Sequence, residues 1–228
     1  MRRGEPWEEP ARGAADGVVE VSGGDPALAA AHAARPDAVV RFEPDATSDL
    51  ARALGLGRAS TPDRSIVACD VLATQRDLAP ERQTAVNAVV LGIPPDRLRA
   101  WHRRRAVQVT VDGRTVGTPR ASTVVIANGQ FLRGSDLVPR GHPGDGRAEV
   151  QIYALAPKDR RPMRARLATG DHLPHPHILE VSGRNVVVEW TGRGGARPGA
   201  PIEIDGHRRG RARRLLVDLV PSALRVRC

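Results

Sequence analysis

A chain of 228 residues is long enough to bury a substantial core, as one large domain or two small ones. Hydrophobic residues make up 40% of it but aromatics only 3%, so the core has to be built from Val, Leu, Ile and Ala. The formal charge of +9 is uneven: residues 1–70 carry 8 Arg against 12 Asp and Glu, and the remainder carries 27 basic residues against 14 acidic. No apolar run approaches the ~20 residues that span a bilayer. Met1-Arg2-Arg3-Gly4-Glu5-Pro6 lacks the apolar middle of a secretory signal, which makes the cytoplasm the expected compartment. Cys69 and Cys228 are too few and too far apart for a disulfide framework or a zinc ligand set.

Residues 1–16 mix Gly, Pro, Glu and Arg without periodicity and read as a loose leader. Gly17 to Ser22 is a short strand running into Gly23-Gly24. Asp25-Pro26 then opens an Ala-rich helix to about Ala34, with Asp25 suited to cap it and Pro26 to start it. Ala38 to Phe42 is a second strand. Thr47-Ser48-Asp49 caps a second helix, in which Leu50 and Leu54 stack one turn apart before Gly55 ends it. Strand, helix, strand, helix is the rhythm of a parallel sheet. After residue 62 it gives way to short strands: Ser65 to Leu72, Thr84 to Leu91, Ala106 to Val111, Ser122 to Ala127, Ala148 to Leu155, Asn185 to Trp190, Ile202 to Ile204 and Arg214 to Val220. Asp112-Gly113 marks a hairpin turn between Val-rich flanks. Arg97 to Arg105 is the one helix expected in this part. The expected organisation is a leader (1–16), a partial α/β nucleotide domain (17–62) and a larger β-sandwich domain (63–228).

Two further clusters carry chemistry. His172, His175 and His177 fall within six residues, a spacing that can ligate zinc, but Pro174 and Pro176 stiffen it and no Cys or carboxylate joins them. Arg208-Arg209-Gly210-Arg211-Ala212-Arg213-Arg214 is a basic run suited to an anionic membrane surface or to a solvated hairpin. No aromatic residue interleaves it, which speaks against nucleic acid.

Gly23-Gly24-Asp25-Pro26-Ala27 and Asp205-Gly206-His207 resemble the GGDGT and DGE signatures of the diacylglycerol kinase and sphingosine kinase-like lipid kinases. The run from Thr47 to Gly55 resembles that family's second nucleotide segment. Asn87 with Gly92, Val125 to Gly129 and Pro139 to Val150 resemble later family segments in the same order. The resemblance covers roughly residues 17–228. It implies an α/β nucleotide domain and a β-sandwich meeting at a crevice, with ATP and Mg²⁺ used to phosphorylate a lipid hydroxyl. On it, Gly23, Gly24, Asp25 and Thr47 serve the nucleotide, Asp25 and Thr47 the metal as well, His207 stands at the base position and Asp205 keeps the catalytic turn before it. Asp145, with the carbonyls of His142 and Arg147, would hold a structural magnesium ion.

The sequence also departs from the family. His207 replaces the glutamate base, Pro26 removes an N–H and Ala27 removes a hydroxyl from the phosphate turn. One lost charge-assisted hydrogen bond costs about 1.5–3 kcal/mol. The family's early Asn-Pro-x-Ser-Gly loop does not occur before Gly23, as expected of an N-terminally shortened member. A non-catalytic binding or scaffold module with a lipid-kinase fold, or a basic protein binding polyanions or membrane surfaces, stand as alternatives to an active kinase.

Overall fold

The computed structural model describes residues 8–10, 17–56, 65–77, 79–116, 120–190 and 199–227. Of the expected leader only β1 (Glu8–Pro10) falls among them, and the expected boundary at residue 62 and Cys228 lie outside them. There follow β2 (Val18–Gly23), α1 (Asp25–Ala34), β3 (Val39–Pro44), α2 (Asp49–Leu54), β4 (Ser65–Arg76), β5 (Ala79–Ala85) and β6 (Ala88–Gly92). Next come β7 (Arg105–Ala106), β8 (Gln108–Val111), β9 (Arg114–Val116), β10 (Arg120–Ala121), β11 (Thr123–Ala127), β12 (Phe131–Leu132) and β13 (Ser135–Asp136). The chain continues with β14 (Ala148–Tyr153), α3 (Arg160–Ala165), β15 (Ile178–Gly183), β16 (Asn185–Glu189), β17 (Ala200–Ile204), β18 (His207–Ala212) and β19 (Arg214–Arg227).

These elements make an α/β unit followed by a β-sandwich. One sheet runs β1-β4-β19-β16-β8-β9, with β5 on β4 and the β2-β3 pair on β19; the other runs β15-β14-β11-β6-β17-β18. Alternation along the strands divides the side chains between two cores. Val89 and Leu91 of β6, Val124 and Ile126 of β11, and Val150 and Ile152 of β14 pack between the sheets. Ala88, Val90, Val125, Ala127 and Tyr153 face the other way, under Leu98, Leu132, Met163 and Leu167. Both faces of β6 and β11 are therefore covered, which explains their unbroken apolar sequence.

β4 and β19 join the two units. Leu215, Val217 and Leu219 of β19 enter the sandwich core, whereas Leu224 and Val226 pack with Leu28, Val40, Phe42 and Leu50 of the α/β unit. The pairing with β4 shifts register between Val220 and Leu224. There Ser222 takes φ 52° and its N–H donates to the Asp70 carboxylate at 2.8 Å. Beyond this bulge β19 pairs in parallel with β3, and β3 with β2, so the α/β sheet grows directly from a sandwich strand.

Several expectations need correction. Arg97 to Arg105 is not a helix; only Pro95–Arg97 forms a 3-10 turn, and the helix of this half is α3. The Thr84 to Leu91 run is two strands broken at Val86-Asn87, where the backbone N–H groups turn toward a carboxylate described below. β15 and β18 carry no clear sequence signal, because Glu180 and the arginines of β18 dilute the apolar alternation. β18 is an edge strand, and its charges suit an edge that must not pair further.

Candidate functional site

The glycine turn sits where β2 hands over to α1. Gly23 takes φ 126°, open to a residue without Cβ. A Cβ on Gly24 would lie 2.7 Å from the Thr47 hydroxyl, so the two loops touch through a bare backbone. Gly24, not Asp25, is the N-cap of α1, and it makes no side-chain cap bond. The Asp25 carboxylate reaches instead to the start of α2. It accepts from the Ser48 hydroxyl at 2.6 Å, from Asp49 N–H at 3.2 Å and from Leu50 N–H at 3.2 and 3.3 Å. Ser48 in turn accepts from Ala51 N–H at 3.0 Å and is the N-cap of α2. Asp25 thus fastens one helix N-terminus to another, and the negative charge suits both.

Thr47 is held outside this arrangement. Its N–H and its hydroxyl both donate to the exposed Asp45 carboxylate, at 2.7 and 2.5 Å. These bonds, the side-chain one first, hold the Asp45 carboxyl below the usual range. An anionic group therefore stands beside Gly24: the Asp45 Oδ1 lies 3.5 Å from the place a Cβ on that glycine would take.

At the far end of β17, Asp205 and Gly206 form a tight corner with φ 46° and 75°. Asp205 is buried, and its carboxylate accepts three backbone N–H groups: Val86 at 2.9 Å, Asn87 at 3.0 Å and Ala88 at 2.9 Å. It is these bonds that break the β5–β6 run. Between this corner and α1 lies a groove of about 130 Å³ lined by Pro26, Ala29, Ala30, Ala33, Thr84, Ile204, Asp205 and Arg209. Burial lifts the Asp25 carboxyl to about 7 against its bond from Ser48, with the Asp205 charge adding to the rise. Burial also lifts Asp205 to about 6, against its backbone bonds and the charge of Arg209.

His207 follows the corner but is exposed and does not line the groove. The groove side of this hairpin is occupied by Arg209.

Other buried charges support the corner, and sequence reasoning missed them. Asp49 accepts from Arg133 N–H and from Gly134 N–H, the latter at 2.7 Å. Arg133 pairs with Asp96 at 2.6 Å and with Glu203 at 2.7 Å, and Arg97 reaches Glu203 at 3.4 Å. Burial pulls the Arg133 pKa down, but the bonds to Asp96 and Glu203 outweigh it and the net shift is upward. Glu203 in Ile202-Glu203-Ile204 reads as a solvent-facing position, and only a layer packed over that face makes it internal. Asn87 and Asn128, flagged by the resemblance, knit the same region. Asn87 donates to Phe131 C=O at 3.0 Å, and Asn128 donates to the carbonyls of Asp70 and Val86 at 2.7 and 2.9 Å.

Asp145 lies on the surface elsewhere. Its carboxylate accepts from Arg147 N–H at 2.9 Å, and His142 C=O accepts from Asp145 N–H at 3.4 Å. Gly146 N–H is taken by Asp70 at 2.7 Å. The turn is closed by its own hydrogen bonds and presents the Asp145 carboxylate to solvent. Among the described residues no three His, Cys, Asp or Glu side chains converge. His172 is buried, while the backbone N–H of His177 donates to His175 Nδ1 at 3.1 Å.

The helix that follows the glycine turn and an Asp-Gly corner, on either side of a groove between an α/β unit and a β-sandwich, define a two-part protein of NAD kinase-like architecture. Residues 89–228 match the YegS C-terminal NAD kinase beta sandwich-like domain, and the chain belongs to that family. A crystal structure of a diacylglycerol kinase from Bacillus anthracis str. Sterne superposes with TM-score 0.69 at 14% identity, covering 92% of this chain and 75% of that one. Two further structures from the same organism, of proteins proposed to be diacylglycerol kinases, give TM-scores of 0.69 and 0.68 at 14% identity, covering 92% of this chain and 77% of theirs. No curated protein matches the sequence. The likeness to the diacylglycerol kinase structures holds for the fold. No helix among the described residues is long and apolar enough to cross a membrane.

Proposed function

We propose that this chain is a diacylglycerol kinase-like phosphotransferase. It would phosphorylate a lipid hydroxyl at the α1–Asp205 groove, with catalysis weakened by its departures from the family signatures. The observation that supports this reading most is that Asp205, buried and with its carboxyl lifted to about 6, lines the groove beside α1, with the Asp25 carboxyl near enough for the two charges to interact. Carboxyls tuned to that range are matched to proton transfer near neutrality. ATP, when bound, supplies the phosphoryl group. Gly23 and Gly24 leave the backbone bare at the start of α1, where the helix dipole favours an anion. Arg209 brings a cation to the groove wall. Asp205, which lines the groove, is better placed than His207 to accept the hydroxyl proton.

Purified protein incubated with labelled ATP and mixed lipid acceptors should yield labelled phospholipid slowly. Arg209→Gln should reduce the rate, and His207→Ala should leave it unchanged. No label in any lipid would remove the activity. A second reading, a non-catalytic module, is favoured by one contact: Asp45, tied to Thr47, sets a negative charge beside Gly24, where it would repel a phosphate. A thermal shift with Mg-ATP separates the two, since a ligand that binds only the native state raises its melting temperature.

A further inference from the structure

The end of the second sheet remote from Asp205 carries a larger cavity, of about 400 Å³. It opens at Gly92, the last residue of β6, and at Ala200 and Pro201, the first of β17. Asp205 adjoins the opposite ends of the same two strands. Four residue steps of about 3.3 Å separate the two places.

The lining of this cavity is basic and aromatic. Arg103, Arg105, Arg208 and Arg211 line it, and no Asp or Glu does. Arg211 is held by Gly199 C=O, but Arg103, Arg105 and Arg208 form no ion pair among the described residues. The chain has 3 Trp, and two of them, Trp101 and Trp190, are here. Trp101 is 76% exposed, the most exposed large hydrophobic side chain among the described residues. Trp190 is 6% exposed, and its indole N–H is buried without an acceptor. A buried donor lacking an acceptor, beside a group of uncompensated cations, asks for an anionic oxygen.

The wall is built rather than loose. The buried guanidinium of Arg160 donates to the carbonyls of Arg99 at 2.7 Å, Ala100 at 3.0 Å and His102, and to Leu155 C=O at 3.2 and 3.3 Å. Arg99 N–H donates to His102 Nδ1 at 2.9 Å, and Arg104 to Ala154 C=O at 3.0 Å. Arg160, buried and with no carboxylate partner among the described residues, is spent on fixing the loop that presents Trp101 and Arg103. Burial, with the charges of Arg160 and Arg99, lowers the His102 pKa, as a positive field there requires. The basic run is thereby divided: Arg209 faces the groove, while Arg208 and Arg211 face this cavity.

We propose that this cavity binds a phosphate group, carried by a soluble phosphate ester or by an anionic phospholipid headgroup. The site is separate from the groove and does not depend on the kinase reading. Calorimetric titration of the full chain with inorganic phosphate and with glycerol phosphate tests the soluble source. Co-sedimentation with phosphatidylcholine vesicles, with and without phosphatidylglycerol, tests the headgroup.

Whichever probe binds, the pair Arg103→Gln and Arg208→Gln should weaken it by roughly a hundredfold. Trp190→Phe, which keeps a ring and removes the N–H, should weaken it by roughly three- to tenfold. Arg35→Gln with Arg114→Gln removes the same charge from exposed positions elsewhere and should leave binding unchanged. Binding of the soluble probes assigns the site to a phosphate ester. Binding only to phosphatidylglycerol vesicles, lost in Trp101→Ala, assigns it to a headgroup with that indole in the interface. No binding of any probe, binding that survives loss of Arg103 and Arg208, or an equal loss in the control pair overturns the proposal.

Discussion

At one end of the β6–β17 pair, Asp25, Asp49, Asp205 and Glu203 are buried and every one of them is engaged by donors of the protein itself. At the other end, arginines surround a cavity with no carboxylate in its lining and an indole N–H without an acceptor. The acidic end is occupied with holding the fold: two helix N-termini, a broken strand and a loop depend on it. The basic end leaves the charges of Arg103, Arg105 and Arg208 without an ion pair among the described residues. Charge that the protein already satisfies holds the fold first; of these four carboxylates only Asp205 also lines the groove, where it can meet a substrate.

The contrast between the two ends breaks most visibly at Asp205. Asp205→Ala strips three buried N–H groups of their acceptor, and a loss of about 3–5 kcal/mol in urea unfolding is expected. A smaller loss would mean that these donors find water and that the corner is not structural. Arg160→Met should cost about 2–3 kcal/mol, because buried carbonyls lose a charged donor. It should also weaken phosphate binding without touching the cavity's own arginines.

Asp25 sharpens the contrast through pH. Its folded pKa of about 7 lies above the ordinary 3.8, so the native state holds the proton more tightly than the unfolded chain. The resulting stabilisation is complete below about pH 4 and is lost as pH rises through about 7, on the order of a few kcal/mol. Asp25→Asn should flatten that slope in unfolding experiments between about pH 4 and 8. An unchanged slope would place the raised pKa elsewhere. The smallest effect belongs to the basic end. Arg103→Gln with Arg208→Gln should alter unfolding free energy by no more than about 0.5 kcal/mol per site, because both side chains are exposed.

Much of the architecture was legible in the sequence. The signals that succeeded were local: Ser48 and Gly55 at the ends of α2, Pro26 at the start of α1, Asp112-Gly113 in its hairpin. Each works through its own neighbours along the chain, so no tertiary knowledge is needed. The helix expected over Arg97 to Arg105 failed for the complementary reason. Its carbonyls are claimed by Arg160, 58 to 61 residues away, and a long-range donor outcompeted helical bonding.

The sequence by itself determined the order of α/β unit and sandwich, the glycine turn and the Asp-Gly corner, because turn and cap chemistry is written within a few residues. Only the tertiary structure decided what those residues do. It set Asp25 on the neighbouring helix, turned His207 to solvent, buried Glu203 and gathered two tryptophans with four arginines. A carboxylate or guanidinium takes its role from whichever donor, acceptor or void the folded chain brings to it, and that partner stands tens of residues away in sequence.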